Sequence, residues 1–206
     1  MARRIPKINE KDCKEFLSAT INAAGTISEN SMQKILAAFE MIAYDKNEKI
    51  IKEGDVTQYL YFIAKGLVRV YYHKAGKEMI DWFAEEGCFF GNIYSYITQK
   101  PGFDIYESIE DVTLLRIKYT DLEKLYLQSH EIESIGRIIM QRYYITYVER
   151  VHNLKGLPSE DKYNLFVTHY AIFMNRIPLK YVANYLGITS ETLSRIRTKY
   201  DKTILK

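Results

Sequence analysis

The chain has 206 residues, enough for one large domain or two ordinary ones, and 47% of them are apolar, which excludes a disordered polypeptide. Its net charge of +3 is unevenly spread: residues 155–206 carry nine Lys/Arg against four Asp/Glu, whereas residues 1–154 carry twenty against twenty-two. Two cysteines, Cys13 and Cys88, exclude a disulfide framework and a four-thiolate iron–sulfur cluster, and His73, His130, His152 and His169 lack metal-ligand spacing, so no metal and no cofactor is expected.

Arg3-Arg4 suggests a twin-arginine signal, but Ile5 through Phe16 is polar and charged, without the apolar stretch such a signal needs. No run reaches membrane-spanning length, which predicts a cytoplasmic protein with no membrane partner. Residues 1–43 read as mostly helical from the spacing of Phe16, Leu17, Ile21, Ile35, Leu36 and Phe39. From about Tyr44 to Lys118, short runs of Tyr, Ile, Val and Phe are punctuated by Gly54, Gly66, Gly76, Gly87, Gly91 and Gly102. That rhythm predicts a β-sandwich or barrel, most simply a jelly roll. Within it, Leu67 through Tyr72 followed by Lys74-Ala75-Gly76-Lys77 reads as a strand and its hairpin turn.

Helical character returns at Tyr119 and runs to Asn153. Ile132, Ile135, Ile139, Arg142, Thr146 and Glu149 alternate at three- and four-residue spacing. Two readings stand: a coiled-coil seam across a dimer axis, weakened by its polar later positions, or a helix packed on its own domain. Lys155-Gly156-Leu157-Pro158-Ser159 predicts a hinge, with Ser159 capping a further helix through about Phe173. The expected organisation is α+β: an N-terminal jelly-roll sensor domain with flanking helices over 1–118, a long dimerisation helix over 119–154, and a helical C-terminal domain over 155–206.

The last segment carries the most specific signal. Pro178 suits a first helical turn, and Val182, Ala183 and Leu186 recur at helical spacing. Gly187 stops that helix, Ile188 fills the turn, and Thr189 can cap the next helix through its hydroxyl. There Leu193 and Ile196 point inward, while Ser190, Glu191, Ser194 and Arg195 share the opposite face. This is a helix-turn-helix, and it makes double-stranded DNA the expected partner. Glu191 suits cytosine N4, Arg195 suits guanine O6 and N7, and Ser194 suits a neighbouring base. Thr189 and Thr192 suit phosphate contact or capping, with Arg197 and Lys199 as phosphate partners. Glu191 and Arg195 also have the spacing of an ion pair on a solvated face. Only six residues follow Tyr200, too few for a full β-hairpin, so a complete C-terminal wing is not expected.

A glycine-punctuated jelly roll, a long helix, a Gly/Pro hinge and this helix-turn-helix together resemble the Crp/Fnr superfamily of bacterial transcription regulators. The resemblance rests on Glu53-Gly54-Asp55, on Tyr61 through Val70, on Glu86-Gly87-Cys88-Phe89-Phe90-Gly91 and on Leu186 through Arg195. It implies a homodimeric DNA-binding regulator, not an enzyme and without catalytic residues, whose β-domain is cyclic-nucleotide-binding-like; RNA polymerase enters as a partner where that domain is a protein-interaction scaffold. In nucleotide-binding members Phe-Gly-Glu holds the ribose, and an Arg some ten residues later neutralises the cyclic phosphate. Here Phe90-Gly91 is followed by Asn92, and Lys100-Pro101-Gly102-Phe103-Asp104-Ile105 holds no arginine. The adenine-reading Thr-Ser pair becomes Tyr147-Val148, so the resemblance argues against cyclic AMP.

Gly91, Asn92, Tyr94, Lys100 and Tyr147 remain candidates for the pocket of an unidentified small-molecule effector; Tyr94, Tyr96 and Tyr106 equally suit ordinary strand positions. The family's N-terminal cysteine cluster is absent, and no axial pair for haem stands out. Glu191, Ser194 and Arg195 look like the reader of the oxygen-responsive branch, which implies an inverted repeat of TTGAT-like half-sites. Two alternatives stay open: a ligand-independent regulator whose β-domain is a protein-interaction scaffold, and a cupin-type enzyme, disfavoured because His73 is the only histidine between Tyr44 and Lys118.

Overall fold

The computed structural model describes residues 8–204, with side chains through Tyr200; Arg3-Arg4 and the last residues of the chain lie outside the described residues. It divides into two compact units, one up to Arg142 and one from Tyr143. Among the described residues no helix is long and apolar enough to cross a membrane, and no cluster of His, Cys, Asp and Glu has the form of a metal site.

The first unit opens with α1 (Glu10–Ala24) and α2 (Glu29–Ala38), capped by Asn9 and Ser28 side chains that accept from Asp12 N and Ser31 N. Strand β1 (Glu40–Tyr44) begins earlier than the sequence suggests. Phe39 is already extended, and Glu40 faces Arg116 across the ladder in a 2.7 Å ion pair, so the cross-strand partner decides the boundary. Then come β2 (Lys49–Ile51), β3 (Tyr59–Lys65), β4 (Val68–Lys74), β5 (Lys77–Ala84) and β6 (Phe89–Phe90). A short α3 (Ile93–Thr98) precedes β7 (Ile105–Ser108) and β8 (Val112–Lys118). All pairings are antiparallel, in two four-stranded sheets ordered β1-β8-β3-β6 and β2-β7-β4-β5, which is the expected jelly roll. The β4–β5 hairpin turns through Ala75 and Gly76, both at positive φ (51° and 73°), the pattern of a tight two-residue turn.

Strand β3 buries both faces. Tyr61 and Ile63 point between the sheets, with Val68, Val70, Tyr106 and Leu114. Phe62 and Ala64 point outward, where Leu115 and Ile117 of β8 join Leu17, Ile21, Met32 and Ile35 of the two N-terminal helices. On the far face of the second sheet, Arg69 donates to Glu107 at 2.9 and 3.2 Å and to Glu78 at 2.7 Å, while Tyr71 OH donates to Glu107 at 2.9 Å. Each charge there is matched, as a buried carboxylate requires.

The expected single helix after β8 is two. α4 (Tyr119–Gln128) ends at Ser129, whose backbone is extended (φ −150°, ψ 110°), and α5 (His130–Gly156) starts after it. The coiled-coil reading of Ile132 and Ile135 is corrected here. Both are buried in the core beneath α1 and α2, Ile139 packs against that core, and Arg142 donates to the carbonyls of Ala23 and Ala24 at 3.1 Å. The hinge also shifts: Lys155 and Gly156 are still helical, and the chain breaks only at Pro158. Ser159 is the first residue of α6 (Ser159–His169) rather than its cap, and α6 stops four residues short of Phe173. The second unit continues with α7 (Leu179–Leu186) and α8 (Ser190–Ile204), so helix continues where a wing would start.

Glu131 joins α2 to the start of α5: its Oε2 accepts from Ser28 Oγ at 2.5 Å, Ser31 Oγ at 2.6 Å and Ser28 N at 3.4 Å. These hydrogen bonds, the Ser28 hydroxyl foremost, hold the carboxyl below its ordinary value. A depressed carboxylate stabilises fully above its unfolded value and loses that contribution as pH falls through the folded one. Glu131→Gln is therefore expected to lower the thermal midpoint of the first unit at neutral pH. The gap from wild type should close on acidification below about pH 4, followed by circular dichroism.

Candidate nucleic-acid interface and effector cassette

The helix-turn-helix is built from a few local constraints. Pro178 precedes α7 and its carbonyl accepts from Tyr181 N at 2.8 Å and Val182 N at 3.3 Å. Gly187 ends α7 in the left-handed region (φ 67°, ψ 33°). No atom lies within 4 Å of a Cβ built there, so the backbone angle rather than crowding selects glycine. The turn closes through Gly187 N to Asn184 O and Ile188 N to Ala183 O, both 3.0 Å. Thr189 caps α8 as expected, its Oγ1 accepting from Thr192 N at 3.2 Å.

Val182, Ala183, Leu186, Leu193 and Ile196 are buried, and this fixes the rotation of α8. Ser190, Glu191, Ser194, Arg195 and Lys199 are left exposed, with Thr192 and Arg197 half-buried at the edges. Arg195 Nη2 donates to Thr192 Oγ1 at 3.3 Å, and Thr192 Oγ1 lies 3.2 Å from Thr189 Oγ1. A chain of hydroxyls thus runs from the helix cap to the guanidinium. Glu191 stays ionised: its backbone N–H and the Thr189 hydroxyl hold the carboxyl below its usual value, and the charge of Arg195 adds a smaller push. Lys199 pairs with Glu160 of α6 at 2.6 Å, so its ammonium already has an anionic neighbour within the unit. Sequence reasoning missed that pairing, because Glu160 lies on another helix.

In the first unit the segment from Gly91 to Ile105 forms a cassette between β6 and β7. Here the structure corrects the strand reading of Tyr94 and Tyr96, which lie on α3. Asn92 starts that helix, its Oδ1 accepting from Ser95 N at 3.0 Å, and Gln99 ends it at φ 54°. Gly91 and Asn92 are buried together. Tyr94 and Lys100 are exposed instead; the Tyr94 ring lies 5.1 Å from that of Phe103, also on the surface. Tyr147 belongs to the second unit, where the Arg150 guanidinium lies 5.5 Å from its ring centre.

The buried neighbours of Asn92 are residues that the sequence did not single out. Ser95, fully buried, accepts from Thr57 N at 3.0 Å and donates to Asp55 O at 3.4 Å. Gly102 N donates to Asp55 O at 3.0 Å, and Gly102 O accepts from Gly54 N at 2.9 Å. These bonds fasten the cassette to the Gly54–Thr57 loop. The available signal was Asn92 three residues before Ser95, a capping pattern, with Pro101-Gly102 as the following turn. Between the sheets the rings of Tyr61, Phe90 and Tyr106 stack at 5.0 and 5.4 Å, and Tyr106 OH donates to Gly91 O at 3.1 Å. Burial, reinforced by the Asp81 carboxylate, pushes Asp104 up to about 6. At neutral pH it is still mainly an anion, unsuited to a phosphate.

With these geometries in view, the comparisons with known proteins become specific. Residues 41–129 match the cyclic nucleotide-binding domain family. A curated relative, the anaerobic regulatory protein of Haemophilus influenzae, is 26% identical over 174 residues, covering 76% of this chain and 65% of its own length. The chain therefore spans just under two thirds of that relative. Among solved structures, FixK2 from Bradyrhizobium japonicum superposes with a TM-score of 0.68 at 19% identity, over 80% of this chain and 85% of that one. A CooA mutant from Carboxydothermus hydrogenoformans gives 0.67 at 15% identity, over 97% and 87%. Catabolite activator protein from Thermus thermophilus gives 0.53 at 20% identity, over 86% and 85%. A β-domain that matches the cyclic nucleotide-binding domain family is thus followed by a helical region, in a fold similar to that of these solved structures.

Proposed function

We propose that this chain is a sequence-specific DNA-binding transcription regulator acting as a homodimer, and not an enzyme. The observation that carries the reading is the α7–Gly187–α8 geometry, which buries Leu193 and Ile196 and leaves Ser190, Glu191, Ser194 and Arg195 exposed on one face of α8. The net positive charge of residues 155–206 suits a phosphate backbone. Arg195 takes the role of a bidentate guanine reader and Glu191 that of a cytosine N4 acceptor. Thr189, Thr192, Arg197 and Lys199 serve phosphates, with Lys199 exchanging Glu160 for DNA.

Exposed apolar residues on α5 support it as the dimerisation helix. Met140, Tyr144 and Tyr147 are 48%, 66% and 49% exposed at i, i+4 and i+7, a stripe that water leaves unsatisfied and a second copy can cover. Symmetric pairing would set the two recognition helices about 34–36 Å apart, one turn of DNA. RNA polymerase is the remaining protein partner of this reading. A second reading, in which the β-domain is a scaffold that needs no effector, is favoured by the internal bonding of the Gly91–Ile105 cassette.

Selection of bound sites from random duplexes by the purified chain is expected to enrich an inverted repeat of TTGAT-like half-sites; folded protein that enriches nothing overturns the reading. On the enriched site, Arg195→Ala should cost about 1–3 kcal/mol and relax preference at one guanine, with affinity for random DNA little changed. Thr192→Val, which removes the hydroxyl beside Arg195, should shift the same guanine preference by a smaller amount, and Thr192→Ser should restore it. Tyr144→Glu should convert the dimer to monomer in sedimentation and abolish tight binding to the inverted repeat while leaving α-helical content intact.

A further inference from the structure

A β-domain of this type is expected to keep a place for a small effector at its cassette, and in this chain the buried side chain of Asn92 lies there. Asn92 is 2% exposed and caps α3 through Oδ1, so its carboxamide has a fixed orientation. The other end of the amide is aimed at Gly102. A Cβ added to Gly102 would lie 2.1 Å from Asn92 Nδ2 and 2.7 Å from Asn92 Cγ, distances that heavy atoms do not tolerate. Gly102 has no positive φ that would demand glycine, so the side-chain amide alone excludes any larger residue there. Neither partner is free to retreat: Gly102 is held through both its N–H and its carbonyl, and Asn92 can swing away only by releasing the Ser95 N–H.

The surroundings close the space further. A Cβ on Gly91 would sit 2.4 Å from the hydroxyl of Tyr119, whose ring stacks on Tyr96 at 3.7 Å. Tyr106 bonds the Gly91 carbonyl, and Tyr61, Phe90 and Tyr106 fill the interior beside it. Asp104 adds a carboxylate near this turn.

We infer that Asn92 is the built-in occupant of the effector cassette: its carboxamide fills the space beside Gly102, so the β-domain holds a single conformation and takes no cyclic nucleotide. This rests on the regulator reading above and deepens it: DNA binding by this chain does not wait on a cyclic nucleotide.

The test is made on the full chain by thermal unfolding, with no need for DNA. Gly102→Ala should lower the midpoint of the first unit by several degrees. In an Asn92→Ser background, where a hydroxyl can still cap α3 and the amide is gone, the same Gly102→Ala should cost less than half as much. Cyclic AMP and cyclic GMP at millimolar concentration should leave the wild-type midpoint unmoved. An equal cost of Gly102→Ala in both backgrounds, no cost in either, or a nucleotide-induced rise of several degrees would overturn the inference. On the selected duplex, nucleotide should change affinity less than twofold, and a tenfold gain would likewise overturn it. If no duplex is bound at all, the DNA reading fails while the melting results still decide this one.

Discussion

Strands β3 and β8 are apolar on both faces, and the architecture of the first unit follows from covering them. One face is closed by the second sheet, through Tyr61, Ile63, Val112 and Leu114 against Val68, Val70 and Tyr106. The other, with Phe62, Ala64, Leu115 and Ile117, needs a separate layer, and α1, α2 and the first turns of α5 supply it. Each large side chain so covered contributes about 1.5–3 kcal/mol, so the second layer is worth as much as the sandwich interior. Because alternate residues face different layers, a one-residue slip of β3 would exchange Phe62 for Tyr61 and spoil both cores at once. Two-sided burial therefore fixes register as well as stability.

This demand on α5 has a functional side. A helix whose early apolar positions are spent on its own domain cannot also offer them to a second chain. The exposed apolar surface consequently begins later, at Met140, and continues through Tyr144 and Tyr147. The same economy operates in the second unit, where Leu193 and Ile196 anchor α8 against α7 and so decide which polar residues remain outside. In both units the exposed surface is what the core leaves over.

Much of this was legible in the chain. Helix ends marked by Gly187 and Thr189 could be placed from sequence because their causes are local, a positive φ and a side-chain cap. The Ala75-Gly76 turn was legible for the same reason. Features set by distant partners were not. The start of β1 depends on Arg116 and the state of Lys199 on Glu160, while the hydroxyl of Ser129, at the break between α4 and α5, lies 3.2 Å from that of Ser31 in α2. The cassette shows the limit most clearly: Asn92 could be noticed as a departure from a family pattern, but its opposition to Gly102 exists only once the nine intervening residues have folded into α3 and its turn. The alternating apolar positions of α5 were visible too, yet periodicity does not say whether the facing surface belongs to the same chain or to another.

The opposition of Asn92 and Gly102 also constrains the evolutionary paths open to this domain. An arginine cannot be introduced at position 102 while the asparagine stands, since its first side-chain carbon already collides with the amide. Replacing Asn92 first removes the cap of α3 unless the new side chain can still accept from Ser95 N, as serine can. A lineage moving toward phosphate recognition would have to change Asn92 before Gly102, so the two sites are epistatic. Drift at position 102 is held in check while Asn92 stands.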